Sequence, residues 1–176
     1  MQSICSNMKI RSFIPLLISL TVIVCIASSA VVSSRKIFVW NSTASMPEGL
    51  YYLTHKDTIN CGDIVYFPIP DNVRGLVIDE RKWLDKDCCL MKRVAAVEND
   101  FVCVNGASLQ IRYITGPVSS LDSLGRTLPS ISFCGHLGKG QLFVGDISNP
   151  RSFDSRYFGP VNIDQVIGTA IPIWTF

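Results

Sequence analysis

The sequence predicts a mainly β domain that follows a single N-terminal transmembrane helix. Two observations lead to this prediction: one apolar run of membrane length near the N-terminus, and a series of short runs rich in β-branched and aromatic residues after it. Setting the apolar run aside leaves about 140 residues, the size of one ordinary domain with its own hydrophobic core. We therefore divide the chain into residues 1–35, a tail with its membrane anchor, and residues 36–176, an exported domain.

The apolar run extends from about Phe13 to Val32 and has two basic residues on each flank. At roughly 1.5 Å per residue, a helix of this length crosses a hydrocarbon core of about 30 Å. The flanking charges favour neither orientation, and we place the N-terminus inside because a long C-terminal part is translocated whatever its charge. This predicts a single-pass protein of the inner (cytoplasmic) membrane with its domain in the periplasm. The alternative is a removed signal peptide, since Ser28-Ser29-Ala30 supplies small residues suited to a cleavage site.

The elements that follow the apolar run are predominantly strands. Gly106 follows Asn105 between two of them, which is typical of a hairpin turn. We predict one short helix at Leu76–Lys86 and a long irregular loop from Thr115 to Leu128. The predicted strands are Lys36–Trp40, Leu50–Leu53, Asp63–Phe67, Leu90–Val97, Phe101–Val104, Leu109–Tyr113, Gln141–Val144 and Val166–Trp174.

Composition excludes several classes of function. The net charge is only +2 and no basic stripe is interleaved with aromatic residues, so we expect no nucleic-acid partner. The cysteines and histidines have no spacing typical of a metal site, and we expect neither a metal nor a cofactor. His55 and His136 fall in loop-like contexts and are interpreted as surface residues, which argues against a Ser-His-Asp triad. An oxidising compartment favours disulfides, and we predict the pair Cys103–Cys134.

A serine and a lysine are the residues that point to chemistry. Ser45 lies shortly after the apolar run, and Lys92 lies within a later apolar, strand-like run. A serine needs a base to become a nucleophile, and a lysine can be that base only when burial keeps it neutral. A free lysine has a pKa near 10.4, and apolar surroundings can lower it by up to about 3–5 pH units.

The neighbours of Lys92 suit such a base. Leu90, Met91 and Val94 supply apolar surroundings, and Arg93 points to the opposite face because side chains alternate along a strand. No acidic residue flanks Lys92 in the sequence, so nothing local would hold its proton.

Three sequence blocks together resemble the type I signal peptidase family. They are SMPEGLY at 45–51, KRVAAVEND at 92–100 and GDISNPRSFDSRYFGPV at 145–161, in the order and spacing of that family. Within it the chain looks most like the conjugal-transfer TraF-type peptidases, which process a pilin. The resemblance to this group lies in the small size, the single apolar run, the residue sequence of the first block and Ala95-Ala96 in the second.

The resemblance assigns the catalytic roles by position. Ser45 matches the nucleophile and Lys92 the general base, which takes the hydroxyl proton and later protonates the leaving amine. The backbone N–H of Ser45 and the hydroxyl of Thr43 match the two donors of an oxyanion hole.

The third block supplies supporting residues by the same resemblance. Ser152 matches the serine that orients the lysine amine, and Asp154 with Arg156 matches a structural pair beside the site. Asn99 stands where the family usually has glycine, a change that should affect a turn more than the chemistry.

The function implied is that of a membrane-anchored serine endopeptidase with a Ser-Lys dyad and no cofactor. It would process an exported protein precursor after a small residue, and the resemblance suggests the pilin of a conjugal transfer or type IV secretion system. The acyl-enzyme could be hydrolysed or captured by an amine to give a ring. The alternatives are a general type I signal peptidase and a non-catalytic, membrane-tethered assembly factor of the secretion apparatus.

Overall fold

The computed structural model describes residue 15, residues 17–24 and residues 37–176. The chain divides into two units, Met1–Ile37 and Phe38–Phe176. In the first, residues 17–24 are helical. Among the described residues, none of the helices has the length and apolar character needed to span a membrane. The predicted transmembrane helix is therefore not confirmed, and much of its range, including Ser28-Ser29-Ala30, lies outside the described residues.

The second unit is mainly β, as predicted, and its strands form two antiparallel sheets. The larger sheet has the order β1-β2-β11-β3-β4-β9-β10, and the smaller has the order β7-β6-β5-β8. The strands are β1 Phe38–Asn41, β2 Gly49–Thr54, β3 Ile64–Pro68, β4 Cys89–Ala96, β5 Phe101–Asn105, β6 Ser108–Ile111, β7 Ile114–Pro117, β8 Phe133–His136, β9 Gln141–Val144, β10 Val161–Asn162 and β11 Gly168–Thr175.

Apolar side chains of these strands pack into three buried clusters. One contains Phe67 of β3 and Val144 of β9, and a second lies on the smaller sheet around Val102 of β5. Strand β4 contributes to all three clusters, because neighbouring side chains on a strand point to opposite faces.

The predicted strands all correspond to observed ones, and the structure adds β7, β8 and β10. Strands β7 and β8 contain glycine, and β7 also ends in proline, so their sequences lack the usual composition of a strand. They form because the smaller sheet supplies hydrogen-bonding partners on β6 and β5. The predicted loop at 115–128 is consequently shorter, and it is closed by a bridge between Leu121 and Thr127.

The helix prediction was wrong in its bounds. Helix α1 covers Asp71–Gly75 and continues as a π-helical turn over Leu76–Glu80. It ends there because Lys82 has a φ of +54°, which a right-handed helix does not allow. A second short helix, α2, covers Ser155–Phe158.

Two turns differ from the prediction in detail. The hairpin between β5 and β6 is confirmed, but Asn105 pairs with Ser108, so its two central residues are Gly106 and Ala107. Asn99, where the resemblance leads one to expect glycine, has a φ of +67°. Asparagine is among the residues that tolerate this left-handed conformation best, so Asn99 can occupy this turn position.

The predicted disulfide is confirmed. Cys103 of β5 lies opposite Cys134 of β8, and the two sulfur atoms are bonded. Among the described residues, Cys61, Cys88 and Cys89 are free thiols. His55 and His136 are exposed, as predicted.

Candidate active site

The serine predicted to be the nucleophile lies on a tight loop between β1 and β2 that one buried side chain organises. Asn41 ends β1, and its amide nitrogen donates to the carbonyls of Thr43, Met46 and Pro47, each at 3.0 Å. Its amide oxygen accepts the backbone N–H of Thr43 at 3.2 Å and the Thr43 hydroxyl at 2.7 Å. One asparagine therefore determines the shape of the loop that carries Ser45.

Asn41 was missed by sequence reasoning. The available signal was an asparagine directly before Ser42 and Thr43, because asparagine side chains often bond to backbone groups two residues on. Two further contacts fix the far end of the loop. The Tyr51 hydroxyl donates to the Pro47 carbonyl at 2.8 Å, and a Cβ at Gly49 would lie 2.1 Å from the Trp174 carbonyl oxygen.

The hydroxyls of Thr43 and Ser45 lie 3.2 Å apart. Since the Thr43 proton is directed to Asn41, the Ser45 hydroxyl donates to Thr43 in this arrangement. The backbone N–H of Ser45 has no hydrogen-bond partner in the described part of the chain. A free backbone N–H beside a hydroxyl is the donor pair that an oxyanion hole requires.

Lys92 lies in the middle of β4 and is only 5% exposed. Its ammonium donates to Ser152 Oγ at 3.1 Å. Burial lowers the pKa of Lys92 to about 8, although the Asp154 carboxylate opposes the change and the Arg156 guanidinium assists it. A buried amine with such a pKa is partly neutral near neutral pH and can accept a proton.

The surroundings of Lys92 agree with the sequence prediction. Leu90, Met91 and Val94 are buried, whereas Arg93 faces outward and donates to the Gly62 carbonyl at 2.8 Å. No acidic residue flanks Lys92 in the sequence, and the carboxylate that raises its pKa belongs to Asp154, which is distant in sequence and brought near Lys92 by the fold.

The structural pair predicted from the third block is a buried ion pair. Arg156 Nη2 lies 2.7 Å from Asp154 Oδ2 and Arg156 Nε lies 2.8 Å from Asp154 Oδ1, and both side chains are almost fully buried. Asp154 also caps α2 by accepting the backbone N–H of Arg156. Gly145 is required here, because a Cβ at this position would lie 2.6 Å from the Asp154 carboxyl carbon.

The same guanidinium shapes the loop that carries Ser152. Arg156 Nη2 donates to the carbonyls of Asn149 at 2.8 Å and Ser152 at 3.1 Å. The Ser152 N–H in turn donates to the Asn149 carbonyl at 3.2 Å. These bonds hold the Ser152 hydroxyl at the lysine amine.

Two contacts bring the serine loop and the lysine strand together. Met46 and Met91, the neighbours of Ser45 and Lys92, lie in one buried cluster. Asn149 Nδ2 donates to the Ala44 carbonyl at 3.3 Å, which joins the Ser152 loop to the residue before Ser45. Among the described residues, the Lys92 amine bonds only to Ser152, and the Ser45 hydroxyl only to Thr43.

The chain matches a protein-family profile and several known proteins. The profile of the family described as "Signal peptidase, peptidase S26" matches residues 10–175. A "Plasmid transfer protein TraF" of Escherichia coli is 34% identical over 164 residues, which cover 86% of this chain and 89% of that protein. A "Conjugal transfer protein TraF" of Agrobacterium fabrum (strain C58 / ATCC 33970) is 30% identical over 149 residues, covering 77% of this chain and 81% of that protein.

A solved structure also matches part of the chain. The crystal structure of a signal peptidase I from Enterococcus faecalis V583 has 23% sequence identity and a TM-score of 0.36, and the match covers 65% of this chain and 97% of that one. Within the described residues no group of histidine, cysteine and acidic side chains could hold a metal ion. The match of nearly the whole chain to the family profile, together with the relatives of similar length, places this protein in the peptidase S26 signal peptidase family.

Proposed function

We propose that this protein is a serine endopeptidase in which Ser45 is the nucleophile and Lys92 is the general base. One observation carries the proposal: the Lys92 amine is buried, has a pKa lowered to about 8 and is held by Ser152 Oγ at 3.1 Å. A lysine whose only task is structural would keep its charge and reach solvent or an acidic partner.

The proposed reaction uses these groups in two proton transfers. Neutral Lys92 takes the Ser45 proton as Oγ attacks the scissile carbonyl. The oxyanion accepts hydrogen bonds from the free N–H of Ser45 and from the Thr43 hydroxyl. To donate to the oxyanion, the Thr43 hydroxyl must turn away from Asn41. A hydrogen bond to an ion is roughly twice as strong as one to a neutral oxygen, so this turn is favoured only as charge develops. Protonated Lys92 then gives its proton to the leaving amine, and the acyl-enzyme remains.

The proposed substrate is an exported protein precursor cleaved after a small residue, specifically the pilin of a conjugal transfer system. Support comes from the relatives, which are named as plasmid and conjugal transfer proteins. The acyl-enzyme is resolved either by water or by an amine of the substrate, and the second route closes a ring.

We further propose that the protein is anchored in the inner membrane with its domain in the periplasm. The apolar run and the domain disulfide support this placement, since disulfides persist in oxidising compartments. One face of β1, β2 and β11 also exposes an aromatic and aliphatic patch, as expected at a membrane surface. Its members include Phe38, Trp40, Tyr52, Ile171, Ile173, Trp174 and Phe176. Carbonate extraction of cell membranes tests the anchor, because a chain that has lost residues 1–30 is released.

The test of the chemistry is co-expression of the full chain with a candidate pilin precursor, read by mass spectrometry. Ser45→Ala and Lys92→Ala should each abolish processing, whereas Ser42→Ala, an exposed serine of the same loop, should leave it unchanged. A mature peptide lighter by one water would identify a ring. Processing that survives Ser45→Ala would contradict the proposal and favour the assembly factor. Rescue of cells lacking their housekeeping signal peptidase would favour the general enzyme.

The pH dependence gives a second test. Because Lys92 must be neutral to act, kcat/KM should rise with pH and level off above a pKa of about 8. A profile that is flat between about pH 6 and 10 would contradict the role of Lys92.

A further inference from the structure

A pocket of about 580 Å³ lies beside Ser152, and the chemistry described above does not use it. One wall is aromatic and is formed by Trp83, Phe153 and Tyr157. The rings of Phe153 and Tyr157 are stacked at 5.1 Å, and Trp83 meets Phe153 edge-on at 5.2 Å. Pockets of this size with apolar walls and a few polar groups are typical of binding sites for small ligands or short segments of chain.

The opposite wall is the loop after β7, and its own bonds hold it in place. The Ser119 N–H donates to the Tyr157 hydroxyl at 3.2 Å, which joins the two walls. Leu121 lines the pocket and is held by its bridge to Thr127. The space is therefore preformed between ordered walls.

The pocket carries one uncompensated charge. Of its two charged residues, Asp122 is neutralised by Arg126 at 2.7 Å and accepts the backbone N–H groups of Leu124 and Arg126. The other, Arg151, is exposed, and its guanidinium has no hydrogen-bond or ion-pair partner among the described residues. The pocket therefore suits a segment that combines an apolar side chain with a carboxylate.

The position of the pocket relative to the base indicates which part of a substrate reaches it. Lys92 must protonate the leaving amine, so the chain that begins with this amine passes the lysine. Ser152, whose hydroxyl lies 3.1 Å from the Lys92 amine, also lines the pocket.

On the basis of the proposed function, we propose that this pocket binds the segment of the precursor on the carboxyl side of the cleaved bond. The aromatic wall takes an apolar side chain of that segment, and Arg151 selects an acidic side chain in it.

A charge exchange tests the proposal. The full-length protein in detergent is given precursor peptides with Glu, Gln or Lys at each of the first about five positions after the mapped cleavage site. Wild type should prefer Glu to Lys at one of these positions by about two- to fivefold in kcat/KM, as expected for an exposed ion pair. Arg151→Glu should reverse the preference at that same position, so that the Lys peptide is cleaved with a higher kcat/KM than the Glu peptide.

A second variant tests the pocket itself. Ser123 lines it, and Ser120 of the same loop does not. Ser123→Trp should raise KM about fivefold or more for peptides with an apolar side chain after the cleavage site, with kcat and the pH profile unchanged. Ser120→Trp is the matched control and should behave as wild type.

The outcomes separate the two proposals. Cleavage without any charge preference after the site, or a preference found only before it, would overturn the pocket assignment while the peptidase function stands. Failure of wild type to cleave any peptide, with Ser45→Ala as background, would overturn the proposed function and this inference with it.

Discussion

The serine loop and the lysine strand are built in opposite ways. Residues 41–47 are held by one asparagine that bonds to its own neighbours in sequence. Lys92 depends on partners about 60 residues away, namely Ser152, Asp154 and Arg156. The proposed nucleophile needs a defined backbone shape, which local bonds can supply. The proposed base needs a lowered pKa, and only burial by distant parts of the chain supplies that.

The largest expected effect comes from breaking the buried pair on the lysine side. Asp154→Ala leaves the Arg156 guanidinium buried without its partner and removes the cap of α2, which should cost about 3–5 kcal/mol of unfolding free energy. Urea unfolding measures it. Lys56→Ala, which breaks the exposed pair with Asp63, is the control and should cost less than about 1 kcal/mol. Equal losses in the two variants would contradict the comparison.

Lys92→Met should abolish activity and stabilise the fold. In the unfolded chain the pKa of Lys92 is near 10.4, and in the folded chain it is about 8. Between these pH values only the unfolded chain holds the proton, so the free energy of unfolding of wild type rises with pH through this window. Below pH 8 the amine is protonated in both states. Burial of the charged amine then lowers the free energy of unfolding by the full amount of about 3 kcal/mol.

Methionine removes this penalty. At pH 7 Lys92→Met should therefore be more stable than wild type by up to about 3 kcal/mol, less the lost hydrogen bond to Ser152. The difference should shrink as pH rises from 8 to 10, as thermal unfolding of both proteins at several pH values would show. A difference that does not depend on pH would mean that Lys92 is not a destabilised amine.

Asn41→Ala tests the serine side. It removes three donor bonds and the acceptor for Thr43, so we expect kcat to fall about 10- to 100-fold. The pH profile should keep its inflection near the wild-type value, because Lys92 is untouched. Asn41→Asp keeps an acceptor for Thr43 but loses the donors, and its kcat should lie between those of wild type and Asn41→Ala. A shifted pH profile in Asn41→Ala would show that the two regions are not independent.

The smallest effect concerns the link between the regions. Asn149→Ala removes the hydrogen bond of 3.3 Å to the Ala44 carbonyl and the bond of 3.0 Å that Asn149 Oδ1 accepts from the Arg151 N–H. We expect a two- to fivefold loss in kcat, about 0.5–1 kcal/mol. Ser148→Ala in the same loop is the control, because the Ser148 side chain contacts Asp146 instead. A double-mutant cycle of Asn149→Ala with Asn41→Ala should show coupling, since both act on the loop of Ser45.

Features with a local cause were predicted well from the sequence. Apart from the two-residue β10, the strands of the larger sheet have β-branched and aromatic composition, and their existence was predicted with bounds close to those observed. The predictions failed where tertiary pairing decides. Strands β7 and β8 contain glycine and form only because β6 and β5 offer them partners. The helix at Leu76–Lys86 was placed too late, since the conformation of Lys82 that ends it has no signature in the sequence.

The same division runs through the candidate site. The sequence alone determined the family blocks, the identity of the serine and the lysine, and the apolar residues beside them, because these are properties of residue type and spacing. Only the tertiary structure brought Asp154 near Lys92, buried the amine beneath Ser152 and revealed that Asn41 shapes the serine loop. The reason is physical: a pKa and a hydrogen-bond partner depend on distances in space, which long-range packing decides.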